Sequence, residues 1–530
     1  MDLIPTKKTF LCWAVIAIAA VLFGAQSLLY PYGRDQSVYA YVAQVILDGG
    51  IPYKDVFLFK PPAVDFLCVL SVLFFGKGMM GIRIFDLLWQ TATAITVSSI
   101  ANRIYKTKLV GIIAAVIYLF IYYSNNFWHT AQSDGFLSLP MAMSILLCLI
   151  AIERRGFISW GLAGFMLSLA FLFKYSVGII LPIMFGLAFW YRGFLLSPTE
   201  STKPESFKSR ISKSIILVFG FFIPIAACIF YFYINNGMKD FIFMEFILAP
   251  EYTRLAFQNR PLFEIIKDGA SFLIKFFPVF IGVSIPIFLF ILTTKQISAK
   301  IWMIIVWLVG SLFSLILQGK FFPYQFLPLV APLAIMFSIA IFSFYEERKV
   351  FRGKILLIIS LLLFLIPGSI TLQQYLVRMK SFIAVISGRT SIEDNYNNFG
   401  WGDVTIRDEI DVSKFIARNT FPYDEIYVWG FEPIIYVLSQ RKCVSRIITN
   451  NFLYSTWAEP KHKEEFLKTI YIKMPRYFVV MKDDNIPWVT GKSYDSQTAF
   501  EKFTALRQFI TERYIIDKEI GDFIIYRRKQ

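Results

Sequence analysis

The segment Tyr30-Pro-Tyr-Gly-Arg34-Asp35-Gln-Ser-Val-Tyr39, running on to Phe57-Leu-Phe-Lys60-Pro61-Pro62, places an acid and two cations between apolar stretches. Charges at the border of a membrane are costly to hold and are functional candidates by default. Asp35 can take a proton from a hydroxyl. It is equally suited to the N-terminal turn of a helix, since Val38, Tyr41, Val42, Val45 and Ile46 follow at helical spacing. Lys60 precedes two prolines that hold the backbone extended, so it either snorkels to the headgroup level or offers a point charge to a phosphate. Lys174 ends an apolar run and carries the same two readings.

Asp134 closes the stretch Asn125-Asn-Phe-Trp-His-Thr-Ala-Gln-Ser133 and opens the next apolar run, where helix capping and catalysis both fit. His129 in that stretch could join Asp134 and Asp35 around a metal ion, although one histidine lacks ligand spacing. Arg254 and Arg260, with Glu245, Glu251 and Tyr252, either reach a phosphate or form a solvated loop, and Lys320 in Gly319-Lys-Phe-Phe-Pro-Tyr324 reads the same way. Arg83 and Asp86, three residues apart, read as a self-neutralising pair. There is no Walker loop, no GxGxxG after a strand, no Asp-x-Asp, no Cys/His cluster and no Gly-x-Ser-x-Gly elbow. Those absences argue against nucleotide-bound donors and a serine nucleophile.

The elements that must position these groups are mostly apolar. The 530 residues are 56% hydrophobic and 18% aromatic, with a mean hydropathy of +0.58, which is the composition of a polytopic membrane protein. The net charge of +16 comes as short basic clusters between apolar runs, as cytoplasmic loops carry, and does not point to nucleic acid. About eleven spans of roughly 20 residues follow, at 9–29, 80–102, 108–124, 135–152, 157–174, 176–192, 214–236, 271–293, 301–318, 325–344 and 354–375. The apolar segment 62–76 is too short to cross and reads as interfacial or re-entrant. With this count Lys7/Lys8, Arg103/Lys106/Lys108, Arg154/Arg155, the 192–213 loop, Lys295/Lys300 and Arg348 to Lys354 share one side, the cytoplasm. The first loop, 125–134, Lys174, 237–270, Lys320 to Tyr324 and the tail then face outward.

Hydropathy divides the chain into a membrane domain at 1–375, a linker at 376–394 and a soluble domain at 395–530. In the tail, strand-like runs Glu425–Trp429, Arg476–Val480 and Asp522–Tyr526 alternate with helical stretches Val412–Ala417 and Phe500–Thr511, the pattern of a small α/β domain.

Over roughly residues 10–375 the chain resembles the GT-C membrane glycosyltransferases, in the branch of protein O-mannosyltransferases, aminoarabinose transferases and RgtA/B/C/D-like enzymes. The resemblance rests on Arg34-Asp35-x-x-x-Tyr39, Lys60-Pro61-Pro62, Gly81-Ile-Arg83, Asp134, Phe173-Lys174 and the turn Gly319–Pro328. It implies an α-helical membrane enzyme with an extracytoplasmic α/β domain in the bacterial cytoplasmic membrane, its N-terminus cytoplasmic. The implied reaction transfers a sugar, with inversion, from a polyprenyl-phosphate carrier to a lipid, glycan or protein acceptor. Asp35 matches the family's catalytic acid residue and is expected to act as base, with Asp134 supporting it. Lys60 and Lys174 match its phosphate contacts, joined by Arg254 and Lys320, while Arg34, Tyr39 and Tyr324 are expected to bind substrate. A divalent metal is a possible cofactor, but the polar residue that relatives often carry before Lys-Pro-Pro is Phe59 here. Two readings from other classes stand beside this one: a carrier-lipid flippase or transporter, and a non-catalytic scaffold binding the cell envelope.

Overall fold

The computed structural model describes residues 7–154, 156–195, 206–258, 260–276, 278–294, 296–401 and 404–530. Arg155, Lys295 and residues 196–205 of the basic 192–213 loop lie outside the described residues. The chain falls into two compact units. The first takes the residues up to Leu28, then Arg83–Phe230 and Pro261–Phe382, and the second takes Leu29–Ile82, Tyr231–Arg260 and Ile383–Gln530.

Most of the first unit is apolar helix. Among the described residues seven helices are long and apolar enough to cross a membrane: Thr9–Leu29, Met79–Tyr105, Ser133–Glu153, Phe207–Ile234, Ala299–Gln318, Pro323–Lys349 and Phe351–Ile386. Leu262–Lys275 and Pro278–Thr293 make an eighth when taken together as one broken span. Shorter apolar helices at Lys108–Tyr123, Phe157–Phe173 and Tyr175–Phe189 occupy the remaining positions where hydropathy places spans. In hydrocarbon the helix is favoured because it satisfies its own backbone groups.

With no hydrophobic drive between helices in lipid, close packing has to come from shape. On Phe157–Phe173 and Phe207–Ile234 it comes from glycines: a Cβ on Gly164 would meet the Leu217 carbonyl, and one on Gly220 would meet the Gly161 carbonyl. Phe351–Ile386 runs on past residue 376, where hydropathy ends the last span. Arg378 sits in this extension and is satisfied by packing, donating to the Ser124 carbonyl at 2.5 Å and to Gln26 Oε1 at 3.3 Å.

The second unit gathers the first loop, the 231–260 loop and the tail. Its core is a five-stranded sheet of β1 (Glu425–Trp429), β2 (Lys442–Cys443), β3 (Tyr477–Met481), β4 (Tyr514–Ile520) and β5 (Phe523–Arg528), in the order β2-β1-β3-β5-β4. β1 runs parallel to β2 and β3, and the β4–β5 hairpin closes antiparallel onto β3. β1 from Ile426 to Trp429 and all of β3 are buried, the continuous apolar pattern of central strands.

The first loop folds onto this domain through backbone and ion-pair contacts that hydropathy does not register. Phe57 N donates to Arg446 O at 2.8 Å, Cys443 N donates to the Tyr41 hydroxyl at 2.8 Å, and Lys442 pairs with Asp48 at 2.9 Å. Ala63–Phe75, the segment expected to be too short to cross, is a 13-residue helix in this same unit.

Replacing Gly220 by valine is expected to destabilise the membrane unit by about 1–3 kcal/mol, because the added methyls meet backbone that cannot yield. Gly186→Ala, where a Cβ meets nothing within 4 Å, serves as the control. Thermal unfolding of the purified protein in detergent checks both, and equal midpoints would contradict the packing argument.

Candidate active site

In the second unit the acid and the cation of the first loop meet. Arg34–Leu47 is a helix whose backbone leaves the extended residue Gly33, and the Gln36 side chain accepts from Gly33 N at 3.1 Å. Asp35 therefore lies in the first helical turn, where unpaired N–H groups favour an anion. Its Oδ2 is 3.4 Å from Lys60 Nζ, and both side chains keep contact with solvent, 19% exposed for Asp35 and 25% for Lys60. The backbone at Lys60 is held where Tyr53 donates its hydroxyl to Lys60 O at 2.7 Å. Tyr39, on the same helix, is fully buried.

Phe59 explains its own place in the sequence. Its ring stacks on Tyr252 with centroids 5.2 Å apart and 9° between planes, and it meets Phe452 at 4.5 Å and Trp457 at 4.9 Å. A carboxylate at this position would sit among aromatic rings. Tyr252 also feels the Asp35 charge; burial first, and Asp35 second, push its phenol above the ordinary tyrosine range. Arg254 is two-thirds exposed and pairs with Glu251 one turn back at 2.9 Å.

In the first unit Lys174 and Asp134 are partners. Asp134 lies in the short helix Ser133–Phe136, and Lys174 adopts extended backbone at the end of Phe157–Phe173. Lys174 Nζ donates to Asp134 Oδ1, and both side chains are largely buried. Ser133 Oγ fixes the geometry by donating to the Phe173 carbonyl at 3.0 Å. An ion pair this far from water persists only when both charges are present, and losing one partner leaves the other uncompensated.

Arg83, fully buried, donates to Thr130 O at 3.2 Å, Thr130 Oγ1 at 3.0 Å and Phe127 O at 3.1 Å, and so fastens the 125–134 loop. Asp86 accepts from Gln90 at 3.0 Å and from the Tyr122 hydroxyl at 2.7 Å. Arg83 and Asp86, expected to neutralise each other, take separate hydrogen-bond partners, and Arg83 is a loop anchor that i,i+3 spacing does not reveal. His129 is buried, and that burial, helped by the Arg378 charge, lowers it to about 3. Among the described residues no three His, Cys, Asp or Glu side chains gather as metal ligands. Lys320 follows Gly319, whose φ of 63° ends Ala299–Gln318, and Tyr324 is buried in the 3-10 turn Pro323–Leu329.

Residues 59–229 match the family described as dolichyl-phosphate-mannose-protein mannosyltransferase. No curated protein matches the chain by sequence. Among solved structures, ArnT from Cupriavidus metallidurans bound to undecaprenyl phosphate aligns over 97% of both chains, with a TM-score of 0.58 and 14% identity. The oligosaccharyltransferase AglB from Archaeoglobus fulgidus, in complex with an inhibitory peptide and a dolichol-phosphate, has a TM-score of 0.52 at 13% identity, covering 99% of this chain and 74% of AglB. The chain has the GT-C fold. It is a multi-pass membrane protein of that architecture, with a small sheet region near the C-terminus.

Among the buried acids of this GT-C chain that were not singled out from sequence are Glu432 and Asp484. Glu432, 1% exposed, accepts from Arg34 Nε at 2.8 Å and Nη2 at 2.6 Å. Asp484 is fully buried and accepts from Ser496 N at 2.6 Å and Ser496 Oγ at 2.5 Å. The signal for Glu432 was present, since an acid between Phe431 and Pro433 in an apolar turn needs a cation, but its partner lies 398 residues away. Burial raises Asp484 to about 7, against the opposing Ser496 hydrogen bonds and the Arg34 charge. A carboxyl whose folded-state value exceeds its unfolded one adds stability below pH 4, and that contribution is lost as pH rises through about 7. Hydrogen-exchange protection of β1 and β3 is therefore expected to weaken from pH 5 to pH 8, by an amount on the order of a few kcal/mol. Asp484→Asn is expected to flatten that slope. A slope unchanged in the variant would contradict the assignment.

Proposed function

We propose that the chain transfers a sugar from a polyprenyl-phosphate carrier to a lipid, glycan or protein hydroxyl, with inversion, at the outer face of a bacterial cytoplasmic membrane. The observation that carries this reading is the Asp35–Lys60 contact, a partly solvated acid and cation in the first loop, within a chain of GT-C fold. ArnT, of the same fold, is described bound to undecaprenyl phosphate.

The chemistry follows from the groups present. Asp35 takes the proton of the acceptor hydroxyl as its oxygen attacks the anomeric carbon from the face opposite the phosphate. The bond between that carbon and the phosphate oxygen breaks, and the electron pair leaves with the polyprenyl phosphate. Phosphate is already a good leaving group, so the site needs cations to meet the developing charge more than it needs an acid. Lys60 is assigned that task, and Lys174, which donates to Asp134, is assigned to the carrier phosphate as its match to the family motif implies. Arg254 and Lys320 are assigned to the carrier phosphate as further cations, and Arg34, Tyr39 and Tyr324 to substrate binding. The residues before and after Lys60 do not provide a metal site: Phe59 is packed in aromatic rings, and Pro61 has no ligating side chain.

The aromatic surround of Phe59 and the ion pairs favour an enzyme over a flippase only if turnover depends on them. Transfer from a panel of radiolabelled polyprenyl-phosphate sugars to host membrane fractions tests this at matched expression. Lys60→Ala and Lys174→Ala are each expected to lower transfer by about 100-fold, the scale of one lost transition-state charge contact. Lys60→Arg is expected to restore part of it. Wild-type protein that moves no sugar from any carrier would overturn the proposal.

A further inference from the structure

The helix that carries Asp35 begins with an arginine, and this is an electrostatic oddity. A cation at a helix N-terminus opposes the helix dipole, and Arg34 is also 93% removed from solvent, with 7% of its side chain exposed. Such a residue stays buried only against a strong anionic partner. Glu432 supplies it: Nε and Nη2 of Arg34 both donate to Glu432 Oε1, at 2.8 and 2.6 Å, while the Phe431 ring lies 5.7 Å from the guanidinium carbon. The contact is shorter than the 3.4 Å Asp35–Lys60 contact next to it and far better shielded.

Glu432 is itself rooted in the sheet. It lies past Gly430 and Phe431 after the end of β1, in the turn that leads to Pro433. Trp429, the last residue of β1, donates Nε1 to Ser496 O at 2.8 Å, and Ser496 Oγ accepts from Asn450 Nδ2 at 2.7 Å. Asp484, which also senses the Arg34 and Glu432 charges, holds Ser496 from the other side. The turn bearing Glu432 therefore stands on a buried hydrogen-bonded base that the soluble domain provides. Where the chain enters the helix, Ser37 Oγ donates to Arg34 O at 2.7 Å and Gln36 accepts from Gly33 N, so the first turn is stiff around the arginine. A displacement at Arg34 passes to Asp35 with little loss.

We propose that Glu432 is a positioning residue for the base: by pinning Arg34, it sets the first turn of Arg34–Leu47 so that Asp35 is held beside Lys60. The tail is then part of the catalytic apparatus through this buried pair, which acts at the turn carrying Asp35, whereas the Cys443–Tyr41 and Lys442–Asp48 contacts act further along the same helix and at its end. This inference rests on the glycosyltransferase reading above for its kinetic consequence, while its geometric content stands apart from it.

The test uses the full-length protein in nanodiscs. Glu432→Gln keeps an acceptor for Arg34 and removes the charge. The double variant Arg34→Met with Glu432→Met removes both charges while keeping volume, and guards against a variant that merely misfolds. Both are expected to lower kcat at least 10-fold, and in Glu432→Gln, which keeps Arg34, the KM for the carrier sugar is expected to stay within about 2-fold, since geometric misplacement of a base costs turnover and leaves carrier binding intact. Glu432→Asp is expected to recover part of the loss in kcat. Hydrogen exchange gives the second readout: amides of 35–40 are expected to exchange at least 10-fold faster in Glu432→Gln, with β3 and β5 unchanged. Unchanged kcat in a folded variant overturns the proposal, and so does unchanged exchange at 35–40, or faster exchange spread evenly over the sheet. If wild-type protein moves no sugar, the function proposed above fails, and the exchange comparison alone decides whether Glu432 positions the turn.

Discussion

A charge removed from water must be paired, and in this protein that requirement ties the functional candidates to the fold. Lys174 reaches Asp134, Arg34 reaches Glu432, and Arg83 reaches the carbonyls of Phe127 and Thr130. Each contact joins segments at least 40 residues apart. The helices and strands can thus be seen as supports that bring these partners together, and burial makes the partners obligatory. Asp35 and Lys60 differ in degree: their contact is longer and about a fifth to a quarter of each side chain remains exposed. A pair that keeps contact with solvent is the one best placed to exchange its partner for a substrate.

The two units answer to different physics. In the first, apolar helices carry their own hydrogen bonds and pack where glycines allow backbone to approach backbone, as between Gly220 and Gly161. In the second, the sheet has a buried core, with Trp429, Tyr427 and Tyr436 fully enclosed. The first loop belongs with the second unit. Its aromatic residues explain this: Phe57 meets Phe452 at 5.6 Å, Tyr41 meets Tyr436 at 5.2 Å, and Tyr30 meets Phe399 at 5.6 Å.

Much of this architecture was legible because its signals are local. Apolar run length located the spans, and alternation of strand-like and helical stretches located β1, β3 and β5 to within a residue or two at most boundaries. β4 was missed because its pattern Tyr-Ile-Ile-Asp-Lys-Glu-Ile is largely exposed and charged, and β2 because two residues carry no periodicity. Asp35, Lys60, Asp134 and Lys174 were found by their isolation among apolar neighbours, which is also a local property. Their partners were not legible. Nothing near Lys174 in sequence names Asp134, and the distance from Arg34 to Glu432 along the chain is longer still. The division at residue 376 followed hydropathy, whereas Arg378 and the first loop follow hydrogen bonds that hydropathy cannot see.

The claim on which the account turns is that the Asp35 carboxylate performs chemistry and does more than cap a helix. The direct measurement is single-turnover sugar transfer by purified protein with a polyprenyl-phosphate sugar that the wild type accepts, comparing Asp35→Asn with wild type while carrier binding is measured separately. The account predicts that Asp35→Asn, which keeps the side-chain shape, binds the carrier within about 2-fold of wild type and transfers at least 100-fold more slowly, as loss of a general base requires. Transfer by Asp35→Asn at the wild-type rate would contradict it and leave Asp35 as a helix N-terminal residue.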